Sequence, residues 1–281
     1  MNERKGRDDS RLNMTGQNMA ATHLLRFIHN RAVWLATDGI DAGTAQTAVT
    51  LDPVLALVRR TGGGLVIETT TVWAGQPQGE RLGLSAQGIA HLNSKAVAYA
   101  IGLRARFPDV PSVINGMVGP SGDTASGQDI SAWHARMAHS AQIAALAQAG
   151  AEMVTAKGMT HVAEAIGIAG AASAAGLPCV VSFVIDAEGR LPSGQALDEA
   201  IYDVEQLDAA PLWYGVEGAD LPADLFHPAQ HWTRRIGALR LQGVGLSHLI
   251  NRLPHLRVIA APVPALQSAL APRRKAAASR A

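Results

Sequence analysis

The chain has 281 residues, and 48% of them are hydrophobic, which is enough apolar material for the core of one large α/β domain. A formal net charge of +1 at pH 7 gives no overall signal for nucleic-acid or membrane binding. The single cysteine excludes an intramolecular disulfide and favours a reducing compartment, so the composition predicts a cytoplasmic protein.

The two ends of the sequence differ in composition from the rest. Residues 1–20 are polar and charged, lack the apolar core of a signal peptide, and are predicted to be disordered. Residues 272–281 form a short basic tail that we expect to be solvated. The remaining residues, 21–271, contain no internal repeat and no linker, and they are predicted to form one domain.

An uncharged stretch at residues 165–185 approaches the length that spans a bilayer. Gly176 and Pro178 divide this stretch, and its first half consists mainly of small residues. We therefore interpret it as an Ala-rich helix, a turn and a buried strand, and we predict no association with a membrane.

Short apolar runs and helical stretches alternate along the chain. The apolar runs predict eight buried strands, at residues 33–36, 65–67, 112–114, 152–156, 179–184, 212–216, 239–241 and 257–260. The clearest helical stretches are residues 45–58, 85–106, 130–148 and 160–175. Because strands that alternate with helices pair in parallel, the pattern predicts a single α/β domain in which eight strands close into a (β/α)8, or TIM, barrel.

Seven motifs follow one another in an order that is typical of one enzyme family. They read LATDGIDAGTAQ (35–46), LVIETTTVWA (65–74), INGMVGPSGD (114–123), HSAQIAALAQAGAEMV (139–154), GLPCVVSFVIDAEGRLPSGQAL (176–197), RIGALRLQGVGLSH (235–248) and LPHLRVIAAP (253–262). In this order they resemble the motifs of the homocysteine S-methyltransferase family. The resemblance implies a TIM barrel that transfers a methyl group to a thiol such as homocysteine and that holds zinc with three cysteines.

The chain departs from that family at each zinc-ligand position. Gly218 stands where the first cysteine is usual, after Glu217 in place of an asparagine, and the other two positions carry Pro262 and Val263. The side chains of glycine, proline and valine offer neither sulfur nor nitrogen to a tetrahedral zinc ion. We therefore predict that the family zinc site is absent and that the protein uses no cofactor.

Two further departures concern the fourth strand and the C-terminal part. Lys157 stands where the family tends to have a glutamate. The segment between His248 and Leu253 looks shorter than in the family, which implies a trimmed helix between the last two strands. We therefore predict a barrel with a shortened C-terminal part.

The active site of a TIM barrel lies at the C-terminal ends of its strands, and this rule selects candidate residues independently of the family. It predicts a catalytic role for Lys157, Asp38 and Glu68. Six residues predicted to bind substrate also follow strand ends, namely Asp41, Thr69, Thr71, Gly119, Glu217 and Asp220, and the seventh, Ser182, lies on the fifth strand. The expected partner is a small-molecule substrate, either an amino acid or a thiol-like compound.

Each of these candidates also has a structural interpretation. Lys157 follows an apolar strand, where a desolvated amine loses its charge readily and can form a Schiff base, but an ion pair with Glu68 or Glu217 is the favoured alternative. Asp38 can line the site or cap the turn that follows it. Gly119 lies in the sequence GPSG, which suits a backbone turn and is too short for a phosphate-binding loop.

The remaining metal-ligating residues form no recognisable motif. The sequence contains no HExxH, and Pro228 disturbs the helical spacing of His227 and His231. Cys179 lies inside an apolar strand and is interpreted as a core residue. One replacement site stays open as an alternative, built from His161, His227, Glu217 and Asp220.

Three classes of function are compatible with these observations. The first is methyl transfer to a thiol without zinc. This reaction is slow without activation of the thiol, because a thiol with a pKa of about 8.5 is only a few per cent ionised at neutral pH. The second is different chemistry centred on Lys157 and the strand-end carboxylates. The third is a non-catalytic protein that binds a small molecule or a partner subunit. Assembly into a homo-oligomer stays open as well.

Overall fold

The computed structural model describes residues 21–30, 33–37, 46–122, 130–208, 210–219, 221–241 and 245–271. Eight parallel strands pair in chain order and close into a barrel. They are β1 (Trp34–Ala36), β2 (Gly64–Glu68), β3 (Ser112–Val118), β4 (Met153–Met159), β5 (Cys179–Val184), β6 (Tyr214–Gly218), β7 (Ile236–Leu241) and β8 (Val258–Ala260). The predicted (β/α)8 barrel is confirmed, and each predicted strand overlaps an observed one.

Helices surround the barrel between most pairs of strands. They are α1 (21–29), α2 (Gln46–Thr61), α3 (Gln76–Arg81), α4 (Ala86–Ala105), α5 (Ala132–Ala149), α6 (Val162–Ala174), α7 (Leu197–Val204), α8 (Leu246–Arg252) and α9 (Val263–Ala269). The described residues between β6 and β7 form two 3-10 turns, Ala223–Leu225 and His231–Arg235, in place of an α-helix. Within the described ranges, no helix is both long and apolar enough to cross a membrane.

Side chains and glycines fix where the longer helices begin and end. Ser85 caps α4 by accepting a hydrogen bond from Gly88 N at 3.1 Å, and Ser131 caps α5 in the same way. Each cap satisfies one of the backbone N–H groups that the first turn of a helix leaves unpaired. Helix α5 ends at Gly150, whose φ of 103° is accessible to glycine at little cost. Near the C-terminal end of the domain the helices become short, since α8 and α9 span seven residues each.

The domain boundaries proposed from the sequence stay predictions. Residues 1–20 and 272–281 both fall outside the described part of the chain. The residues between these two ends include all eight strands of the one barrel.

Apolar side chains fill the space on both faces of the sheet. The larger cluster joins the strands to the surrounding helices and includes Ile114, Val154 and Leu239. The smaller cluster includes Trp34, Ile28 of α1 and a set that follows strand alternation on the inner face, namely Val66, Val113, Met153, Val180, Ala238 and Val258. Trp34 Nε1 also donates a hydrogen bond to Ile28 O at 3.2 Å. The N-terminal end of the barrel is thus packed, and the polar inner residues collect toward the opposite end, which we call the mouth.

Helices α5 and α6 approach each other closely at Gly167. A Cβ atom built at Gly167 would lie 2.5 Å from Ala135 Cβ and 2.7 Å from two backbone atoms of α5. We expect Gly167→Ala to lower the free energy of unfolding by about 1–3 kcal/mol, because neither backbone can move away without disturbing the core.

Gly170→Ala is the matched control, because it changes the same helix three residues later. Its nearest neighbour would be Arg136 Cδ at 3.6 Å, so the added methyl group meets no clash. We expect this variant to be more stable by about 0.5–1 kcal/mol, since alanine favours the helix over glycine. Chemical denaturation measures both changes, and two shifts of the same sign would contradict the close approach at Gly167.

Candidate functional site at the barrel mouth

The structure places most of the predicted site residues in or directly after strands β2 to β6. Asp38, Asp41 and Asp220 lie outside the described residues, and their roles stay predictions. The residues that can be placed are Glu68, Thr69, Thr71, Gly119, Lys157, Ser182 and Glu217. Some of these residues form hydrogen bonds that join neighbouring backbone segments, and the others carry charge at the mouth.

A buried ion pair links β2 to β7 across the two strands between them. Arg240 Nη1 donates to Glu68 Oε2 at 3.1 Å, and Arg240 Nη2 donates to Glu68 Oε1. The two side chains are only 5% and 4% exposed. Glu68 therefore lies at the mouth as predicted, but its carboxylate is bound by an arginine that was not among the predicted site residues. The signal in the sequence was a lone charge inside the apolar segment GALRL.

Lys157 sits on an irregularity at the end of β4. The pairing of β4 with β5 shifts register between Ala156 and Met159, and Gly158 has a φ of 71°, which favours glycine. Such a bulge inserts one residue and redirects the side chain beside it. Glu217 on β6 holds the bulge, because its Oε1 accepts a hydrogen bond from Gly158 N at 2.8 Å. Lys157 is half-buried and lies directly before Gly158, inside this irregularity.

Thr69, Thr71 and Gly119 fasten the loop after β2 to strand β3. Thr69 Oγ1 accepts from Met117 N at 2.9 Å, Thr71 Oγ1 donates to Met117 O at 2.7 Å, and the two hydroxyl oxygens lie 2.7 Å apart. A Cβ atom at Gly119 would lie 2.5 Å from Val72 O, so the close approach of the two segments requires glycine. The hydrogen bonds of the two threonines and the close approach at Gly119 stabilise this part of the fold. The contact of these three residues with substrate stays a prediction.

The inner wall below the mouth is polar on one side. Asn115 Nδ2 donates to Thr155 Oγ1 at 2.9 Å, which satisfies both buried side chains. Ser182 is fully buried, and within the part of the chain that the structure describes its Oγ has no hydrogen-bond partner. A Cβ atom at Gly215 would lie 2.6 Å from that oxygen, so the glycine leaves room for the hydroxyl. The predicted role of Ser182 in substrate binding remains untested.

A second buried network holds the loop after β3 from behind. Glu164 Oε1 accepts from Ser121 N at 2.6 Å and lies 3.0 Å from His139 Nε2, with both side chains at most 5% exposed. Burial raises the pKa of Glu164, but the hydrogen bonds from His139 and Ser121 outweigh burial and hold this pKa below its ordinary value. Neither Glu164 nor His139 was predicted as a site residue, because their pairing is visible only in three dimensions.

The lowered pKa of Glu164 predicts a pH-dependent contribution to stability. In the unfolded chain the carboxyl group titrates near its ordinary value of 4.5, and in the folded protein it titrates below that value. Its contribution is therefore complete above about pH 4.5 and is lost as the pH falls toward the folded-state pKa. We expect the stability difference between wild type and Glu164→Gln, measured by urea denaturation, to shrink steadily in this acidic range. A difference that stays constant down to pH 3 would contradict the assignment.

The described residues do not fit a zinc–thiolate site. A Cβ atom at Gly218 would lie 2.7 Å from the side chain of Leu221, so an apolar group occupies the space of the expected cysteine. Pro262 directly precedes α9, and Val263 begins it. Cys179, the one cysteine of the sequence, is buried in the outer apolar cluster, and burial raises its pKa to about 12. A thiol held neutral in this way is a poor metal ligand.

The replacement metal site left open by the sequence is not assembled by the residues that can be placed. His161 Nδ1 bonds to Thr160 Oγ1 at 2.9 Å, His227 Nδ1 accepts from Ala229 N at 3.2 Å, and Glu217 holds the bulge of β4. Across the ranges listed for the fold, no three histidine, cysteine, aspartate or glutamate side chains gather closely enough to hold a metal ion. Asp220 falls outside those ranges.

Fold and site together define a (β/α)8 barrel with a charged mouth at the C-terminal ends of its strands. The sequence profile of the homocysteine S-methyltransferase family matches residues 60–236 of the chain. The protein therefore belongs to the homocysteine S-methyltransferase family, which confirms the resemblance carried by the seven motifs. A comparison with curated protein sequences gives no significant match.

Solved structures support the same fold. The homocysteine methyltransferase MmuM from Escherichia coli, in its oxidized form, superposes with a TM-score of 0.66 at 18% identity, covering 88% of this chain and 98% of that one. Its metallated form gives a TM-score of 0.64 at 17% identity, covering 85% and 95%. At this level of identity the likeness is one of fold, and the chemistry must be argued from the mouth itself.

Proposed function

We propose that the protein transfers a methyl group from a positively charged small-molecule donor to the thiol of a small amino-acid-like acceptor, and that it does so without the zinc site of its family. Membership of the family supports the reaction class. The glycine, proline and valine at the cysteine positions support the absence of zinc–thiolate activation. The observation that carries the proposal is Lys157, a cationic side chain on a glutamate-held bulge at the mouth.

The reaction needs a thiolate, and a nearby cation favours one. An ammonium group about 4 Å from a thiolate stabilises it by on the order of 1 kcal/mol in water and about 4 kcal/mol at an effective dielectric constant of 20. Since about 1.4 kcal/mol corresponds to one pKa unit, this effect raises the thiolate fraction at neutral pH by roughly fivefold to thirtyfold, the upper limit being nearly complete ionisation. A second cation at the mouth, Arg240, lies in a buried ion pair with Glu68, whose side chain is 4% exposed.

The transfer itself is a displacement at the methyl carbon. The thiol proton leaves to water, the sulfur lone pair forms the new carbon–sulfur bond, and the bond from the methyl carbon to the donor sulfur or nitrogen breaks. The electron pair of that broken bond neutralises the positive donor atom. The protein has to hold both molecules in line and to keep the acceptor ionised, which are tasks of positioning and charge.

A thermal-shift panel on the purified protein tests the proposal. It contains homocysteine, methionine, S-methylmethionine, S-adenosylmethionine and betaine, each with a chelator and with added zinc. We expect a sulfur ligand to raise the melting temperature in the presence of chelator, and mass spectrometry to detect the methylated thiol when a donor is added.

Failure of every sulfur ligand would remove the methyltransferase proposal. The two other classes predicted from the sequence would then be separated by trapping. Borohydride labelling of Lys157 with a carbonyl compound would indicate Schiff-base chemistry, and a stable complex without turnover would indicate a binding protein. Oligomeric state and a cytoplasmic location stay predictions of the sequence.

A further inference from the structure

A groove of about 840 Å³ runs along the outside of the barrel beside α7. It lies where the barrel wall has two 3-10 turns between β6 and β7, while the neighbouring connections carry helices. A sheet face in a (β/α)8 barrel is ordinarily covered by the helix that follows each strand. The groove is therefore a recess in the outer wall, at the strand connection whose described residues form no α-helix.

The walls of the groove combine acidic and aromatic side chains. Helix α7 contributes Asp198, Glu199 and Asp203, and the residue after the helix is Glu205. Two basic side chains line the groove, His231 and Arg235, and Arg235 is bound to Glu205 at 2.8 Å. The carboxylates outnumber the guanidinium group, so the groove attracts a cationic occupant.

The aromatic residues and the direction of α7 strengthen this preference. Tyr202 is 67% exposed on the groove wall, and Trp232 faces the groove from the second 3-10 turn. Aromatic faces attract guanidinium and ammonium groups. Asp203 and Glu205 lie at the C-terminal end of α7, where the helix dipole disfavours anions and favours cations.

The chain itself supplies a basic segment at the correct end of the barrel. Leu270 O accepts a hydrogen bond from Arg60 Nη2 at 3.2 Å, and Arg60 lies in the last turn of α2, at the N-terminal end of the strands. The turn His231–Arg235 precedes β7 and lies at this same end. Thr233 O in that turn bonds to His255 Nε2 at 2.8 Å, which joins the turn to the segment between α8 and β8.

Residues 272–281, which follow α9, are long enough to reach the groove. Packed helices lie about 8–10 Å apart, and only α8 and the 3-10 turns separate α9 from α7 around the wall. Ten extended residues span roughly 33–36 Å. Residues 272–281 include Arg273, Arg274, Lys275 and Arg280 and no acidic residue.

We propose that residues 272–281, which composition alone predicts to be solvated, bind in the groove beside α7, with their basic side chains on its carboxylates and aromatic rings. This intramolecular contact lies outside the barrel wall, where Val216 of β6 and Leu239 of β7 are already fully buried. It is independent of the chemistry at the mouth, which lies at the other end of the strands.

Disulfide trapping in the full-length chain tests the contact. Gln230→Cys on the groove wall is combined with Ser279→Cys, and the buried native Cys179 does not interfere. The matched control joins Ser279→Cys to Ala105→Cys, an exposed position at the end of α4. Both partner positions lie at the N-terminal end of the strands, about two helix positions from α9 in opposite directions.

We expect rapid intramolecular crosslinking at position 230 and at least fivefold slower crosslinking at position 105. The rate at position 230 should fall with added salt and with Asp198→Asn combined with Asp203→Asn, because the attraction is electrostatic. Equal rates at the two positions, or no crosslink at position 230 in a protein that melts like wild type, would overturn the proposal. A crosslinked dimer in place of the monomer would also overturn it, since a second copy would then supply the segment.

Discussion

Arg240→Met is expected to lower the free energy of unfolding by about 3–5 kcal/mol, the largest loss of stability we predict for a single substitution. The guanidinium group and the carboxylate of Glu68 are both almost fully buried and make two hydrogen bonds to each other. Removing one partner leaves the other as an uncompensated charge in a poorly solvated site, and this desolvation is the main source of the loss. Urea denaturation followed by circular dichroism measures it.

The double variant Glu68→Gln with Arg240→Met distinguishes the cost of an unpaired buried charge from the loss of the side chains themselves. It removes both charges, so we expect it to lose clearly less stability than the sum of the two single variants. Arg59→Met is a control for arginine removal as such, because the Arg59–Asp109 pair is exposed and its loss should leave stability nearly unchanged. A single-variant loss as small as that of Arg59→Met would show that the Glu68–Arg240 pair is not a buried charge pair.

The Glu68–Arg240 ion pair could not be predicted from the sequence, although the strands that carry it could. The eight strands were predictable because each is a short apolar run, most of them separated by helical stretches, and buried parallel strands have this composition. Arg240 lies inside one of those runs, and the same reasoning that found β7 passed over its single charge. Its partner is 172 residues away in the sequence, so no local spacing could reveal the pair.

For Lys157, in contrast, the sequence predicted the position of the residue but not the contact that supports it. The sequence placed it correctly at the end of β4, and Gly158 beside it was a visible signal for an irregular backbone. The acceptor that holds this bulge, Glu217, is 59 residues away. The strand-end rule therefore brought Lys157 and Glu217 to the same mouth, but the hydrogen bond that makes Glu217 support the bulge beside Lys157 depends on how the barrel closes.

Lys157→Met is expected to lower kcat/KM for methyl transfer by about tenfold at pH 7.5. In the proposed reaction its charge increases the thiolate fraction of the acceptor. A thiol with a pKa of about 8.5 is roughly one tenth ionised at pH 7.5 without help, so ionisation by the nearby cation accounts for an effect of this size. Steady-state rates with a thiol acceptor and a sulfonium donor measure the loss. Lys95→Met, which removes an exposed lysine on α4, should leave the rate unchanged.

The pH dependence decides whether the lysine acts through charge on the thiol. Above about pH 9 a free thiol is largely ionised without help, because its own pKa is near about 8.5. The defect of Lys157→Met should therefore shrink markedly between pH 7.5 and pH 9.5, while Lys157→Arg, which keeps the charge, should retain most of the wild-type rate. A defect that is equally large at both pH values would contradict activation by charge.

Glu217 provides an independent check, since Glu217→Gln keeps an oxygen that can accept from Gly158 N and Glu217→Ala does not. If the bulge aims Lys157, the alanine variant should behave like Lys157→Met and the glutamine variant should stay close to wild type.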